Sequence, residues 1–337
     1  MRHVLVVRLD SLGDMLVCGP AIRAVAASAD RVTVLAGPGG AAAAAMLPGA
    51  DDVLVWRCPW IVAEPAAVER SDLDDVVARV AAARIDEAVV LTSFHQSALP
   101  TALLLRLAGV RRISAVSTDY PGSLLDVRLA EPDDGAEPER MLRIVAGAGF
   151  AKPAGDDGRL SVRPPQSHVA GLPEQRFLVL HPGVSAPARG YPLSRWREVV
   201  PALTDAGWPV VLTGSAEEKE LTAELAELSA RALDLGGRLD LDELAAVINA
   251  STAVVVANTG PSHLAAALRR PVVSLFAPVV PARRWAPYGT RSVVLGDQNA
   301  PCRDTRATVC PVPGHPCLSS VTAPDVVRAL DSLIGTH

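Results

Sequence analysis

The segment Arg8–Asp14 (RLDSLGD) places one basic and two acidic side chains directly behind an apolar run, His3–Arg8 (HVLVVR). Asp14 falls where a helix is expected to begin. Free backbone N–H groups and the helix dipole hold a carboxylate ionised at such a place. An ionised carboxylate at the mouth of a ligand cleft can take the proton from an attacking hydroxyl. Helix capping alone is the plain alternative for Asp14, and Asp10 is a competing base. Arg8 and Asp10 are candidate acceptor contacts. So is His95, in Ser93–Ser97 (SFHQS) just past another strand end, with a backbone-bonded loop histidine as its alternative. Gly13 is expected to let the chain turn tightly ahead of Asp14. It belongs to no G-x-G-x-x-G, so a dinucleotide fingerprint is absent here.

The second half carries residues suited to an anion. In His181–Trp196 (HPGVSAPARGYPLSRW), Gly183 permits close backbone approach and Arg189 can clamp a phosphate through two parallel hydrogen bonds. A solvated loop arginine is the alternative. His181 is either a nucleotide contact or a strand-end histidine with one structural bond. In Asn258–His263 (NTGPSH), Thr259 and Gly260 present N–H groups at a helix start, Pro261 fits the first turn, and His263 lies one turn inside. That combination suits a diphosphate, although Gly-rich helix starts also serve tight packing. In Thr213–Lys219 (TGSAEEK), an acidic residue past a strand end can bond ribose hydroxyls. Glu217 is taken for that role, and Glu218 is not separable from it by sequence.

The five cysteines are Cys18, Cys58, Cys302, Cys310 and Cys317. An odd number in a chain of this length argues against a disulfide scaffold. Cys302, Cys310, His315 and Cys317 could ligate zinc, but no C-x-x-C is present. Reduced thiols or one disulfide fit the spacing as well, and no metal is assigned.

Strands and helices must alternate to position these segments. Predicted strands cover 3–8, 32–35, 53–55 and 87–92, with helices over 15–27, 73–83, 99–108 and 139–147. Pro, Gly and Asp clusters between 131 and 174 then interrupt regular structure. Strands at 177–180, 210–212, 253–257 and 272–275 follow, interleaved with helices over 194–206, 216–229, 240–250, 261–268 and 322–334. This order implies α/β architecture with parallel sheets. The expected division is an acceptor domain over 1–168, a donor domain over 169–320, and a C-terminal helix over 321–337 that is free to pack back on the first domain. Two such domains with their sheets facing a central cleft would bind ligands at the carboxyl ends of their strands.

The chain has 337 residues, 49% hydrophobic and 20% charged, with a net charge of −5, which excludes a mainly disordered chain. Mild acidity disfavours nucleic-acid partners. All but two of the 32 basic residues are arginine, a bias of GC-rich coding. The N-terminus lacks the pattern of a secretory leader, and the longest apolar region, 98–110, contains Arg106 and is too short to span a bilayer. A cytoplasmic protein with at most peripheral membrane association is expected.

Taken together, the opening VVRLDSLGDMLVCGPAIRAV, the blocks HPGVSAPARGYPLSRW and DLGGRLDLDELAAVINASTAVVVANTGPSHLAAAL, and the tail PCRDTRATVCPVPGHPCLSSVTAPDVV resemble glycosyltransferase family 9, the ADP-heptose:lipopolysaccharide heptosyltransferases. The resemblance covers nearly the whole chain, with its motifs in order. It implies a GT-B architecture of two Rossmann-like domains. It also implies an inverting, metal- and cofactor-independent transfer of a heptose or similar sugar from an ADP-activated donor to a hydroxyl of a glycan, glycolipid or small molecule. Asp14 matches the family's general base, Arg189 its basic residue on the donor diphosphate, and Thr259, Gly260 and His263 its phosphate loop. Asn258 stands where many members carry Asp, so a role needing charge there is in doubt. The alternatives are a 2-epimerase-like nucleotide-sugar enzyme and a non-catalytic nucleotide-sugar binder.

Overall fold

The computed structural model describes residues 1–62 and 65–335. Its contacts divide the chain into two units, the second beginning at Pro164. The division falls ahead of the one read from sequence, and the local bonding explains it. The Arg163 N–H donates to the Met46 carbonyl at 2.7 Å, and its guanidinium donates to the Ala45 carbonyl at 2.6 Å. The N–H groups of Gln166 and Ser167 donate instead to the Asp242 carboxylate, at 3.0 and 2.7 Å.

The first unit contains β1 (His3–Arg8), α1 (Leu12–Leu16), α2 (Gly19–Ala26), β2 (Arg31–Ala36), α3 (Pro38–Met46), β3 (Asp52–Val55), α4 (Arg70–Ala83), β4 (Glu87–Val90), α5 (Leu99–Leu107), β5 (Arg112–Val116), β6 (Val127–Leu129) and α6 (Glu137–Gly147). The single helix expected over 15–27 is two. Pro20 in the first turn of α2 has no N–H to donate, and the ladder breaks at Val17–Cys18.

The second unit contains β7 (Leu178–His181), α7 (Leu193–Asp205), β8 (Val210–Leu212), α8 (Lys219–Ala226), β9 (Ala232–Asp234), α9 (Leu241–Ala250), β10 (Ala253–Ala257), α10 (Gly260–Ala267), β11 (Val272–Leu275), α11 (Ala282–Trp285), β12 (Ser292–Leu295), α12 (Pro316–Ser319) and α13 (Ala323–Ile334). α13 buries Val326, Ala329, Leu330 and Leu333 in the second unit's core with Val199, Val200 and Leu203 of α7. The Tyr191 hydroxyl bonds the Val321 carbonyl at 2.8 Å just ahead of it.

Both sheets are wholly parallel, ordered β3-β2-β1-β4-β5-β6 and β12-β11-β10-β7-β8-β9. Each runs outward in both directions from a central pair, β1–β4 or β7–β10. That reversal of strand order opens a crevice past the strands' carboxyl ends, where ligands of doubly wound sheets bind. The central strands carry uninterrupted apolar runs, Val4–Val7 in β1 and Ala253–Ala257 in β10, because helices cover both faces. Gly37, at the end of β2, is required by a close approach: a Cβ there would sit 2.2 Å from the Leu9 carbonyl oxygen, in the backbone that leads to Asp10.

The irregular run after α6 is fastened to α2. The Arg23 guanidinium donates to both carboxylate oxygens of Asp156, at 2.7 and 2.9 Å. That bond, helped by the Gly158 N–H and opposed by burial, holds the Asp156 carboxyl down to about 2. A depressed carboxylate stabilises the fold above its unfolded pKa, and the contribution disappears as pH falls through the folded value. Asp156→Asn should therefore cost about 1 kcal/mol at pH 7 after solvent screening. The gap to wild type should close between about pH 4 and pH 2 in urea titrations. A gap that widens on acidification would refute the assignment.

Candidate active site

The carboxyl end of β1 delivers Arg8, whose side chain is 0% exposed. Its Nη2 donates to Asp14 Oδ1 at 2.8 Å and to Ser93 Oγ at 2.7 Å, its Nε lies 2.9 Å from Asp10 Oδ2, and its Nη1 reaches Met141 Sδ at 3.8 Å. So enclosed a guanidinium cannot meet an acceptor, and the expectation of Arg8 as an acceptor contact is corrected: it is the hub of an internal ion network. Burial opposes its charge, but the carboxylates of Asp10, Asp14 and Glu137 outweigh burial and raise its pKa.

Asp14 lies in the first turn of α1, 20% exposed, with Oδ2 accepting from Ser11 Oγ at 2.5 Å. Asp10 is more enclosed, at 13%. Its Oδ1 accepts from Gln96 Nε2 at 2.5 Å and from Ser93 Oγ at 3.4 Å. Burial pushes the Asp10 carboxyl up, with Arg8 pulling against it and Asp14 adding to the push. Gly13 does not form a tight turn; it is a buried residue within α1.

Ser93 and Gln96 were not singled out by sequence, although both flank His95 in the turn after β4. His95 itself is exposed, its ring inclined to Phe94 at a centroid distance of 6.4 Å. Arg140 on α6 was missed as well. It donates to the Thr92 carbonyl and to Glu137 Oε1, each at 2.9 Å, it pairs with Glu131, and its Cζ lies 4.6 Å from the Phe94 ring centre. Arg140 therefore anchors the turn that supplies Ser93 and Gln96. Its i,i+3 spacing from Glu137 was the one available signal.

In the second unit, β7 ends in His181, buried, with Nδ1 3.0 Å from Thr213 Oγ1 and Nε2 4.0 Å from Glu218 Oε2. Burial lowers the His181 pKa and Glu218 partly restores it. The structure separates the two glutamates. Glu217 is exposed, while Glu218 turns back to accept from the Ser215 N–H at 2.8 Å. The Glu218 carboxylate occupies the space beside Gly183, where a Cβ would sit 1.9 Å from its Cδ. Gly183 thus makes room for Glu218, and Glu218, rather than the exposed Glu217, is the carboxylate held beside β7.

At the end of β10, Asn258 is buried and its Nδ2 has no hydrogen-bond partner among the described residues. Thr259 is the N-cap of the eight-residue α10, and Pro261 lies in its first turn. The leading N–H groups of such a helix have no partner inside it and favour an anion. His263 is buried one turn inside, 6.4 Å edge-to-face from Trp285. Arg189 closes a single 3-10 turn (Pro187–Arg189) and is partly buried. His181 and Asn258 thus end the neighbouring strands β7 and β10, as Arg8 and the Ser93 turn do for β1 and β4.

Cys302, Cys310 and Cys317 are free thiols. Burial, reinforced by its cysteine neighbours, pushes Cys317 up to about 12. No group of three or more His, Cys, Asp or Glu among the described residues is arranged to hold a metal ion. No described helix is long and apolar enough to cross a membrane.

The family model for glycosyltransferase family 9 (heptosyltransferase) matches residues 97–314. The chain belongs to this family. Among curated relatives, lipopolysaccharide heptosyltransferase 1 of Pseudomonas aeruginosa is 37% identical over 142 residues, 41% of this chain and 39% of that protein. Lipopolysaccharide heptosyltransferase 2 of Escherichia coli K12 is also 37% identical, over 114 residues, 32% of this chain and 33% of that protein. The matched stretch spans about two fifths or less of each relative's length. Among solved structures, E. coli ADP-heptose lipopolysaccharide heptosyltransferase II superposes with a TM-score of 0.73 at 23% identity, over 99% of this chain and 98% of that one. A glycosyltransferase family 9 protein from Veillonella parvula gives 0.80 at 16% identity, over 99% and 97%. At these identities the likeness concerns the fold, and the two six-stranded parallel sheets of this family-9 chain are those of a GT-B protein.

Proposed function

We propose that this protein is a cytoplasmic, inverting, metal-independent glycosyltransferase that moves a heptose, or a sugar of similar shape, from an ADP-activated donor to a hydroxyl of a glycan, glycolipid or small-molecule acceptor. The family-9 match carries the reading. Two further findings support the donor: curated relatives are lipopolysaccharide heptosyltransferases, and an E. coli heptosyltransferase has been solved with ADP.

Asp14 is the general base. Its carboxylate is paired with Arg8 at 2.8 Å yet is exposed enough to meet an acceptor hydroxyl. As that oxygen attacks the anomeric carbon, its proton passes to Asp14. The bond to the diphosphate breaks on the opposite face, inverting the centre. Negative charge then grows on the leaving diphosphate. Arg189 and the N–H groups of Thr259 and Gly260 stabilise it, with His263 adding a hydrogen bond. Preorganised donors of this kind are worth about 3–4 kcal/mol each in a barrier. On the nucleotide, Glu218 is the ribose-binding carboxylate.

The direct test is a thermal-shift panel of ADP-, UDP-, GDP- and TDP-sugars, followed by product analysis with ADP-heptose. A ligand that binds only the folded chain raises its melting temperature. ADP-heptose should give the largest rise, and a larger rise with another nucleotide would overturn the donor assignment. Calorimetry separates the two glutamates. Glu218→Gln should weaken ADP binding about tenfold, the effect of one lost bond to a charged group, while Glu217→Gln should stay within about twofold. The reverse ranking would reject Glu218.

A further inference from the structure

The chemistry above uses no residue of α6, yet this helix turns charge inward. Glu137, Arg140 and Met141 fall at i, i+3 and i+4, the spacing of one helix face, and all three are buried. Met141 lies against Arg8, its Sδ 3.8 Å from Nη1, which sets this face of α6 beside the end of β1. A guanidinium so enclosed is tolerated only where acceptors surround it. Nη1 of Arg140 donates to the Thr92 carbonyl and to Glu137 Oε1, each at 2.9 Å. Nη2 donates to Glu131 Oε2 at 2.9 Å, and Nε to the other oxygen of that carboxylate.

The two carboxylates would balance the charge of Arg140 without help from a peptide carbonyl. The carbonyl it takes is that of Thr92, where the chain leaves the first sheet. One residue earlier, the Leu91 N–H still donates to the Val7 carbonyl of β1 at 2.9 Å. The turn that follows closes on itself through Gln96 N–H to the Ser93 carbonyl at 3.1 Å and Ser93 N–H to Gln96 Oε1 at 2.9 Å. Arg140 fixes this turn from outside, at the Thr92 carbonyl and at the Phe94 ring, whose centre is 4.6 Å from its Cζ. Ser93 Oγ in turn accepts from Arg8 Nη2 at 2.7 Å, and the same nitrogen donates to Asp14 Oδ1 at 2.8 Å. Those two acceptors, with Asp10 at Nε, set the plane of the Arg8 guanidinium. A continuous series of bonds thus runs from Arg140 through Thr92, Ser93 and Arg8 to Asp14.

We propose that Arg140 is a positioning residue for the general base: by holding the Thr92 carbonyl it fixes Ser93 against Arg8, and so aims the Asp14 carboxylate at the acceptor hydroxyl. The inference rests on the reading of Asp14 as the base. Arg140 is enclosed and acts through the turn alone.

Arg140→Met by itself would leave Glu137 buried without its counter-charge. The test variant is therefore Arg140→Met combined with Glu137→Gln, read against Glu137→Gln, whose amide oxygen still accepts from Arg140. Ser93→Ala cuts the same series at its next link without burying a charge. Turnover of ADP-heptose is followed as ADP release, with the acceptor that best supports it in the wild-type chain, and ADP affinity by calorimetry. The combined variant and Ser93→Ala should each lower kcat at least about tenfold, the scale of a small misplacement of a reacting group. ADP affinity should stay within about twofold, because the residues proposed for the diphosphate belong to the second unit. Adding Ser93→Ala to the combined variant should cost nothing more, because the arginine works through the serine. Wild-type kcat in Ser93→Ala or in the combined variant, beside an impaired Asp14→Asn, overturns this inference and leaves the base standing. Normal turnover in Asp14→Asn overturns the base and this inference with it. A loss shared equally by ADP affinity, or fully additive losses, would mark general damage to the fold and also overturn it.

Discussion

Asp14→Asn is expected to lower the turnover of ADP-heptose by about 10³-fold, or about 4 kcal/mol of barrier, while ADP affinity stays within about twofold of wild type. The split follows from the site. The amide oxygen can still accept from Arg8 while the amide NH2 donates to a rotated Ser11 hydroxyl, so the network around it survives, but the amide cannot take a proton. The residues proposed for the diphosphate lie at the ends of β7 and β10 and in the Arg189 turn, on another part of the chain. Asp10→Asn is the control. Asp10 is the more enclosed carboxylate and is already committed to Gln96 and Ser93, so its amide should keep turnover within about tenfold. If Asp14→Asn turns over normally while Asp10→Asn does not, the two aspartates exchange roles. If neither matters, the base is elsewhere.

Arg8→Met carries the second large effect. It removes a buried positive charge that bridges the Asp10 and Asp14 carboxylates. Breaking such a pair from one side typically costs 3–5 kcal/mol, because the remaining charges stay buried without compensation. The pH dependence has a definite sign. Without Arg8, the Asp10 carboxyl, already pushed up by burial, loses the charge that pulls it down and rises further, so the folded chain binds more protons than the unfolded chain. Stability then falls as pH rises through the carboxylate range, and the deficit against wild type grows from pH 4 to pH 8. Catalysis moves the same way: Asp14 needs a higher pH to ionise, so the acid limb of kcat/KM shifts upward. Arg8→Lys keeps a charge but cannot bond Asp10, Asp14 and Ser93 at once, and should recover most of the stability and only part of the rate. An Arg8→Met protein with wild-type melting and an unmoved acid limb would contradict the hub.

The pattern of legible and illegible features has physical causes. The central strands stood out because both faces of a parallel sheet are buried, leaving uninterrupted runs such as VVVA in β10. Edge strands lack that signature. β12 is only half-buried and β6 is three residues long, and neither matched a predicted element. Residues 38–46 carried no prediction either, because two glycines open an otherwise alanine-rich helix. At the site, the expectations for Asp14, Arg189 and the 259–263 turn rest on their place after strands. Arg8 reads as a surface contact because arginine is usually a surface residue, and nothing local in a sequence reveals that Ser93 and Met141, from distant segments, help to enclose it. Glu217 and Glu218 differ by a single step around one turn, and only coordinates show which of them faces β7.

The closeness of residue 183 to residue 218 bears on how the donor site can be re-engineered. Any side chain at 183 would displace the carboxylate now resting against it, so a library randomised at 183 alone would read the displacement of Glu218 rather than the intrinsic tolerance of that position. Varied together, the two positions become one volume to be divided between them. A shorter residue at 218 frees space that alanine or serine at 183 can fill, and recognition of a different nucleoside should be sought among such pairs.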